Sequence, residues 1–148
     1  MRMKFRVWDK TKKCWLDYDE IFIDQEGEVF LIEERNWAYQ SLMHKENITD
    51  KVEVVQYTGL KDKNDKEIYE GDIVKTHNQN NVVKYEYGSF MIVGLHDDKY
   101  ERNYSRFYDY LIDSTIPNEA GSRFDGVTTT LEVTGNIYEN PSLLEDSK

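Results

Sequence analysis

Histidine, cysteine and clustered carboxylates are the side chains with which a chain of 148 residues does chemistry, and their spacing here suits little of it. His44, His77 and His96 share no metal-ligand spacing, and Cys14 is the single cysteine, so no sulfur cluster is available for zinc. Each histidine reads as a surface or loop residue. Lys12 and Lys13 sit beside Cys14, the setting of a reactive thiol, yet its place in an amphipathic hairpin predicts a buried, inert one. Asp97 and Asp98 offer oxygen ligands without the spaced set that a calcium loop needs, and the glycines fall singly at turns, not in a phosphate-cradling loop. The expectation is a protein that is not an enzyme and takes no metal or organic cofactor.

What remains is recognition, and three surfaces compete for it. The first is aromatic: Tyr100, Tyr104, Arg106, Tyr108 and Tyr110 are of the types that dominate binding hot spots, because tyrosine gives a large amphipathic contact area at low conformational-entropy cost. Its simpler reading is packing on the core. The second is acidic: Trp15 to Glu34 holds eight carboxylates and no basic side chain, and Asp17, Asp19, Glu20, Asp24, Glu26 and Glu28 would imitate nucleic acid toward a host DNA-binding protein by electrostatic steering. The third is basic. Residues 1–13 carry six Lys and Arg against Asp9, and Lys4 and Arg6 with Trp8 and Trp15 as stacking platforms would hold a single-stranded nucleic acid. A net charge of −10 disfavours nucleic acid as a partner overall, since phosphate contact by Lys and Arg supplies most non-specific affinity. The bland alternative for both charged stretches is a pair of solvated hairpins.

The elements that must position these groups are mostly strands. Met3, Phe5 and Val7 alternate with Lys4 and Arg6, Asp9 to Lys13 turn the chain, and Cys14 to Tyr18 return, bringing Trp8 to Trp15. Ile21 to Ile23 and Val29 to Ile32 enclose a second turn with Gly27. Residues 34–50 lose the alternation and are read as a short helix or an irregular crossover. Val52 to Tyr57 is a strand ended by Thr58-Gly59, the charged turn Asp62 to Lys66 follows, and Ile68-Tyr69 and Ile73-Val74 are brief strands around Gly71, with Asp72 capping the turn. Asn78 to Asn81 read as a polar loop. Gly88 between Val82–Tyr87 and Ser89–Val93 reads as a bulge or sharp bend of the kind that curls a sheet toward closure. Tyr100, Tyr104, Phe107, Tyr108 and Leu111 stand at helical spacing, which predicts a helix from about Asp98 to Leu111 inside an insertion at about 97–126.

Three of these stretches, KFRVWD at Lys4–Asp9, QYTGLKDKNDKEIYEGDIV at Gln56–Val74 and TGNIYENP at Thr134–Pro141, resemble in this order the YopX family of small proteins from bacteriophages and prophages of low-GC bacteria. The resemblance covers most of the chain. It implies a phage or prophage setting and a small SH3-like architecture for the central and C-terminal part.

The fold expectation is therefore mainly β: one domain over 1–148, with N-terminal hairpins at 1–45 and a small SH3-like barrel or roll at 51–140 that carries a short helical insertion. A 39% hydrophobic content is enough for a core, and aromatics at 14% argue against disorder. No segment approaches the roughly 18 apolar residues of a membrane span, and the N-terminus lacks a secretory apolar region, so the expected location is the cytoplasm of a bacterial host cell. A lone cysteine fits that reducing compartment. The expected partner is a host or phage protein, with self-association through unpaired strand edges as a further option.

Overall fold

Short apolar runs broken by Gly, Asn and Asp cannot sustain a helical stripe. The computed structural model describes residues 3–37, 40–76, 79–94, 103–112 and 127–144, and among these the chain forms strands and short 3-10 turns. It divides into two compact units, Arg6–Val54 and Met1–Phe5 with Val55–Lys148, each with a hydrophobic cluster of its own. The division falls inside β1 (Phe5–Asp9).

In the unit Arg6–Val54, β1 forms a hairpin with β2 (Cys14–Trp15), in which Trp8 pairs with Trp15 and their ring centroids lie 5.0 Å apart. Asp9 Oδ1 accepts the amides of Thr11 and Lys12, and Lys13 at φ 53 completes the reversal. Cys14 is exposed, which corrects the expectation of a buried thiol: it pairs with Asp9 at the turn end of a strand two residues long, too short to carry it inward. The antiparallel sheet of β3 (Ile21–Ile23), β4 (Val29–Trp37) and β5 (Gln40–Asn47) has β4 in the middle. Gly27 at φ +83 allows the tight β3–β4 loop, and Asp24 Oδ1 accepts the amides of Glu26 and Glu28 there. The helix or crossover expected over 34–50 is instead a long hairpin, paired from Phe30 with Asn47 to Trp37 with Gln40, followed by a 3-10 turn at Thr49–Lys51. A backbone ladder needs no apolar period, and that is why the alternation failed to announce it. Val7, Val29, Ile48 and Val52 form the buried cluster, with Ile21, Ile23 and Leu31 packed against it.

In the other unit, β6 (Val52–Lys61) from Val55 onward carries β7 (Glu67–Tyr69) antiparallel and β12 (Val127–Thr128) parallel. The strand does not end at Thr58-Gly59; it continues to Lys61 across a register shift, with Gly59 at φ +85. A second sheet runs β11 (Asn103–Arg106), β10 (Ser89–Gly94), β9 (Gln79–Glu86), β8 (Asp72–Thr76), β13 (Glu132–Asn136). The protein is thus mainly β, and among the described strands this order is open, with β11 and β13 at its ends, where a barrel had been expected to close. Ile68, Val74, Val83, Ile92, Phe107 and Leu131 form the core.

Three local expectations change here. Of the bulge or sharp bend expected at Gly88, the structure has the bend in its tightest form: Glu86 pairs with Ser89, and Tyr87 at φ 54 with Gly88 at φ 77 make a two-residue hairpin turn in which both central residues have positive φ. Of the loop expected at Asn78 to Asn81, Gln79 to Asn81 lie in β9, where the buried Asn81 amide donates to Thr76 Oγ1 and Gln79 O. The helix expected at Asp98 to Leu111 is, over its described part, β11 followed by a 3-10 turn at Phe107–Tyr110. Pairing of Tyr104 with Val93 and Arg106 with Met91 overrides the helical spacing, and the turn then sends Phe107 into the core and Tyr108 to solvent. Tyr100 and the segments 97–102 and 113–126 of the expected insertion lie outside the described residues.

Candidate interaction surfaces

Buried polar side chains are where chemistry would begin, and in this protein they build turns. Asp62, 1% exposed, accepts the amides of Asn64 and Lys66 on Oδ1 at 2.8 and 2.9 Å and that of Val133 on Oδ2 at 3.0 Å. Asp72 Oδ2 accepts the amide of Tyr69 at 2.8 Å, which is the expected cap. Asn136 Oδ1 accepts the amides of Tyr138 and Glu139, while its Nδ2 donates to Glu139 Oε2. Gly71, at φ +85, donates its amide to Val83 O and accepts that of Ile137, and a Cβ there would stand 2.9 Å from the Tyr138 ring. Lys4 closes the set: its carbonyl accepts the Tyr57 amide, and its Nζ lies 2.8 Å from Glu67 and over the Tyr57 ring. The stretches Lys4–Asp9, Gln56–Val74 and Thr134–Pro141 therefore meet through backbone hydrogen bonds of Lys4, Tyr57, Gly71 and Ile137, and their polar residues serve the fold.

The basic group is divided by the same geometry. Lys4 belongs to the unit with Val55–Lys148, whereas Arg6, Trp8 and Trp15 belong to Arg6–Val54. Trp8 is only 7% exposed, and the Arg6 guanidinium lies 3.9 Å from the centroid of the half-buried Trp15 ring. Both indoles thus already have contacts over their faces or edges. The acidic group stays spread over loops: Asp17, Asp19, Glu20 and Glu26 are exposed, Asp24 holds its own loop, and Glu28 Oε2 accepts from Asn47 Nδ2 at 3.4 Å.

Within Arg6–Val54 a cleft of about 530 Å³ lies between Leu16, Leu31 and Ile48 on its apolar side and Lys12, Glu20 and Glu33 among its charged groups. Asp9 and Lys51, which also line it, are engaged by the β1–β2 turn amides and by Glu46 at 3.2 Å. No nucleophile and base converge in it. His44 stands exposed on β5, and His77, His96, Asp97 and Asp98 lie outside the described residues. Among the described residues no group of three or more His, Cys, Asp or Glu side chains could hold a metal ion, and no helix is long and apolar enough to cross a membrane.

The aromatic group is partly assembled. Tyr104 on β11 is 37% exposed and donates its hydroxyl to Glu86 Oε2 at 2.8 Å. Tyr108 is 76% exposed, Arg106 reaches Asp109 at 3.7 Å, and Tyr110 packs partly buried on the core. The sequence reading missed the other half of this surface. Tyr87 at the hairpin tip is 87% exposed and meets the Tyr104 ring edge-to-face at 6.1 Å. Exposed Tyr85, which meets Phe90 at 5.0 Å, falls by register on the opposite face of the sheet from Tyr104. The signal was present as Tyr-Gly between two alternating runs, a hairpin turn carrying an aromatic at its tip.

Among the described residues the protein is mainly β, in two units, with buried polar groups that hold turns and Tyr87 at a hairpin tip. The chain belongs to the YopX family, whose model matches residues 4–145. It is similar in fold to the crystal structure of protein EF1440 from Enterococcus faecalis, with 24% identity, 97% of this chain and 99% of that one covered, and a TM-score of 0.53. It is likewise similar to the crystal structure of protein yopX from Bacillus subtilis, with 20% identity, 95% and 96% coverage and a TM-score of 0.51. No curated protein matches it.

Proposed function

We propose that this chain is a non-enzymatic accessory protein of phage or prophage origin, acting in the cytoplasm of a bacterial host cell and binding a host or phage protein without a cofactor. Val55–Lys148 would serve as an SH3-like roll that presents Tyr87, Tyr104 and Tyr108. Family membership supports the setting. The observation that carries the reading is Tyr87: a bulky residue at φ 54, where asparagine or glycine is preferred, held 87% exposed against Tyr104. Conformational cost at an exposed position is repaid elsewhere, and a partner that takes the ring is the direct way. The acidic-mimic reading rests on composition alone.

Tagged protein recovered from bacterial cells at low salt tests the reading, with wild type compared with the double variant Tyr87→Asn/Tyr108→Ser. A single stoichiometric protein retained by the wild type and lost from the variant is the expected result. Recovery of nucleic acid without protein, or of the same protein by both forms, would remove the tyrosine surface, and recovery of the chain alone as a stable oligomer would replace an external partner by a second copy.

A further inference from the structure

The hydrophobic cluster of the unit Arg6–Val54 is open on one side. Leu16 and Leu31 pack against the buried Val7, Val29, Ile48 and Val52, yet Leu16, Leu31, Ile48 and Val52 also line the cleft of about 530 Å³. That volume suits a small molecule, whose sites are concave, with an apolar wall and a few polar groups at fixed places.

The walls are held before anything binds. Asp9 Oδ1 accepts the amides of Thr11 and Lys12, the Lys10 amide donates to Lys51 O at 3.1 Å, and the Leu16 amide donates to Val7 O at 2.9 Å. The β1–β2 turn is thereby tied to the 3-10 turn Thr49–Lys51, and a preformed cleft spares a ligand the cost of ordering it.

Charges of both signs line the cleft, and most are already engaged. Asp9 is held by the turn amides, Lys51 lies 3.2 Å from Glu46, and Glu33 makes contacts of its own. Two remain: Lys12 on the β1–β2 turn and Glu20 in the 3-10 turn Tyr18–Glu20, both exposed and neither in an ion pair among the described residues. A ligand with a single charge answers only one of them. A zwitterion with an apolar body answers both and covers the open side of the cluster, and four aliphatic side chains give room for more than one apolar group.

We propose that the cleft binds a short apolar peptide with both termini free, of the size of a dipeptide. Its aliphatic side chains lie on Leu16, Leu31, Ile48 and Val52, its ammonium turns to Glu20 and its carboxylate to Lys12. The cleft belongs to Arg6–Val54 and the tyrosine surface to the other unit, so neither assignment depends on the other.

The probe is leucyl-leucine, titrated onto the full chain by isothermal titration calorimetry at low salt. Beside it run N-acetyl-leucyl-leucine, which lacks the ammonium, leucyl-leucine amide, which lacks the carboxylate, and glycylglycine, which lacks the apolar body. Glu20→Gln and Lys12→Gln remove the two rim charges one at a time, and as both side chains are exposed each variant should keep the wild-type urea midpoint. We expect saturable binding of leucyl-leucine, about three- to fivefold weaker binding of either blocked peptide because the partner charges are open to water, and none of glycylglycine. Glu20→Gln should erase the difference between leucyl-leucine and its acetylated form, and Lys12→Gln the difference between leucyl-leucine and its amide. Equal affinity of wild type for all three leucine peptides would overturn the zwitterion. Differences that survive in both variants would overturn the roles of Lys12 and Glu20, and absence of saturable binding at millimolar peptide would overturn the site.

Discussion

The residue on which the larger unit most depends is Asp62. Its carboxylate accepts three backbone amides while 1% exposed, so removing it takes the partner from three donors at a site only partly open to water. Asp62→Ala is expected to cost about 2–4 kcal/mol, read as a lowered urea midpoint at unchanged slope. A loss below about 0.5 kcal/mol would mean that the three amides find other acceptors. An exposed ion pair such as Lys63 with Glu132 deserves no comparable weight, since partners open to water contribute little.

At the scale of elements, the β9–β10 hairpin gives the sharpest test. Asparagine tolerates positive φ better than tyrosine, so Tyr87→Asn is expected to stabilise the protein by about 0.5–1 kcal/mol in thermal or urea unfolding while it weakens partner capture. A variant that is both less stable and unchanged in capture would refute the assignment of Tyr87 to binding. Much of this level was legible in the sequence. The β1–β2 hairpin with its Trp8–Trp15 contact, the Gly27 loop and the Asp62–Lys66 turn follow from alternation and turn chemistry that local residues determine by themselves. The β4–β5 hairpin and β11 were not legible, because their strand character comes from a ladder to a neighbour and not from their own periodicity. Of the candidate surface, tyrosines 104 and 108 were found by type alone. Tyr87 was missed because Gly88 was read as a bulge or bend between strand runs, the exposed Phe22 because apolar residues in strands were assigned to a core, and the exposed Met43 because 34–50 was read as a short helix or crossover.

At the scale of the molecule, the two units have separate hydrophobic clusters and, by chance of sequence, separate reporters. Trp8, Trp15 and Trp37, all the tryptophans of the chain, fall within Arg6–Val54, whereas nine of the 11 tyrosines fall in the other unit. Ile48→Ala and Ile68→Ala each empty a buried site and should cost about 2–5 kcal/mol. With units that unfold on their own, Ile48→Ala lowers the tryptophan-detected midpoint more than the tyrosine-detected one, and Ile68→Ala does the reverse. Coincident shifts in both signals would show one cooperative body instead.

The long reach of Asp62 also sets a timetable for synthesis. Its Oδ1 closes a turn with residues two and four positions ahead, but the amide that satisfies Oδ2 belongs to Val133, 71 residues later. At about 5–20 residues per second, a ribosome takes roughly 4–14 s to cover that stretch. Within that interval Ile68, Val74, Val83 and Ile92 are made in turn, and for the 39 residues between Ile92 and Leu131 all four wait for this core partner. A newborn chain therefore carries its stickiest surface uncovered until β13 emerges, and that is the window in which a chaperone or a protease would meet it.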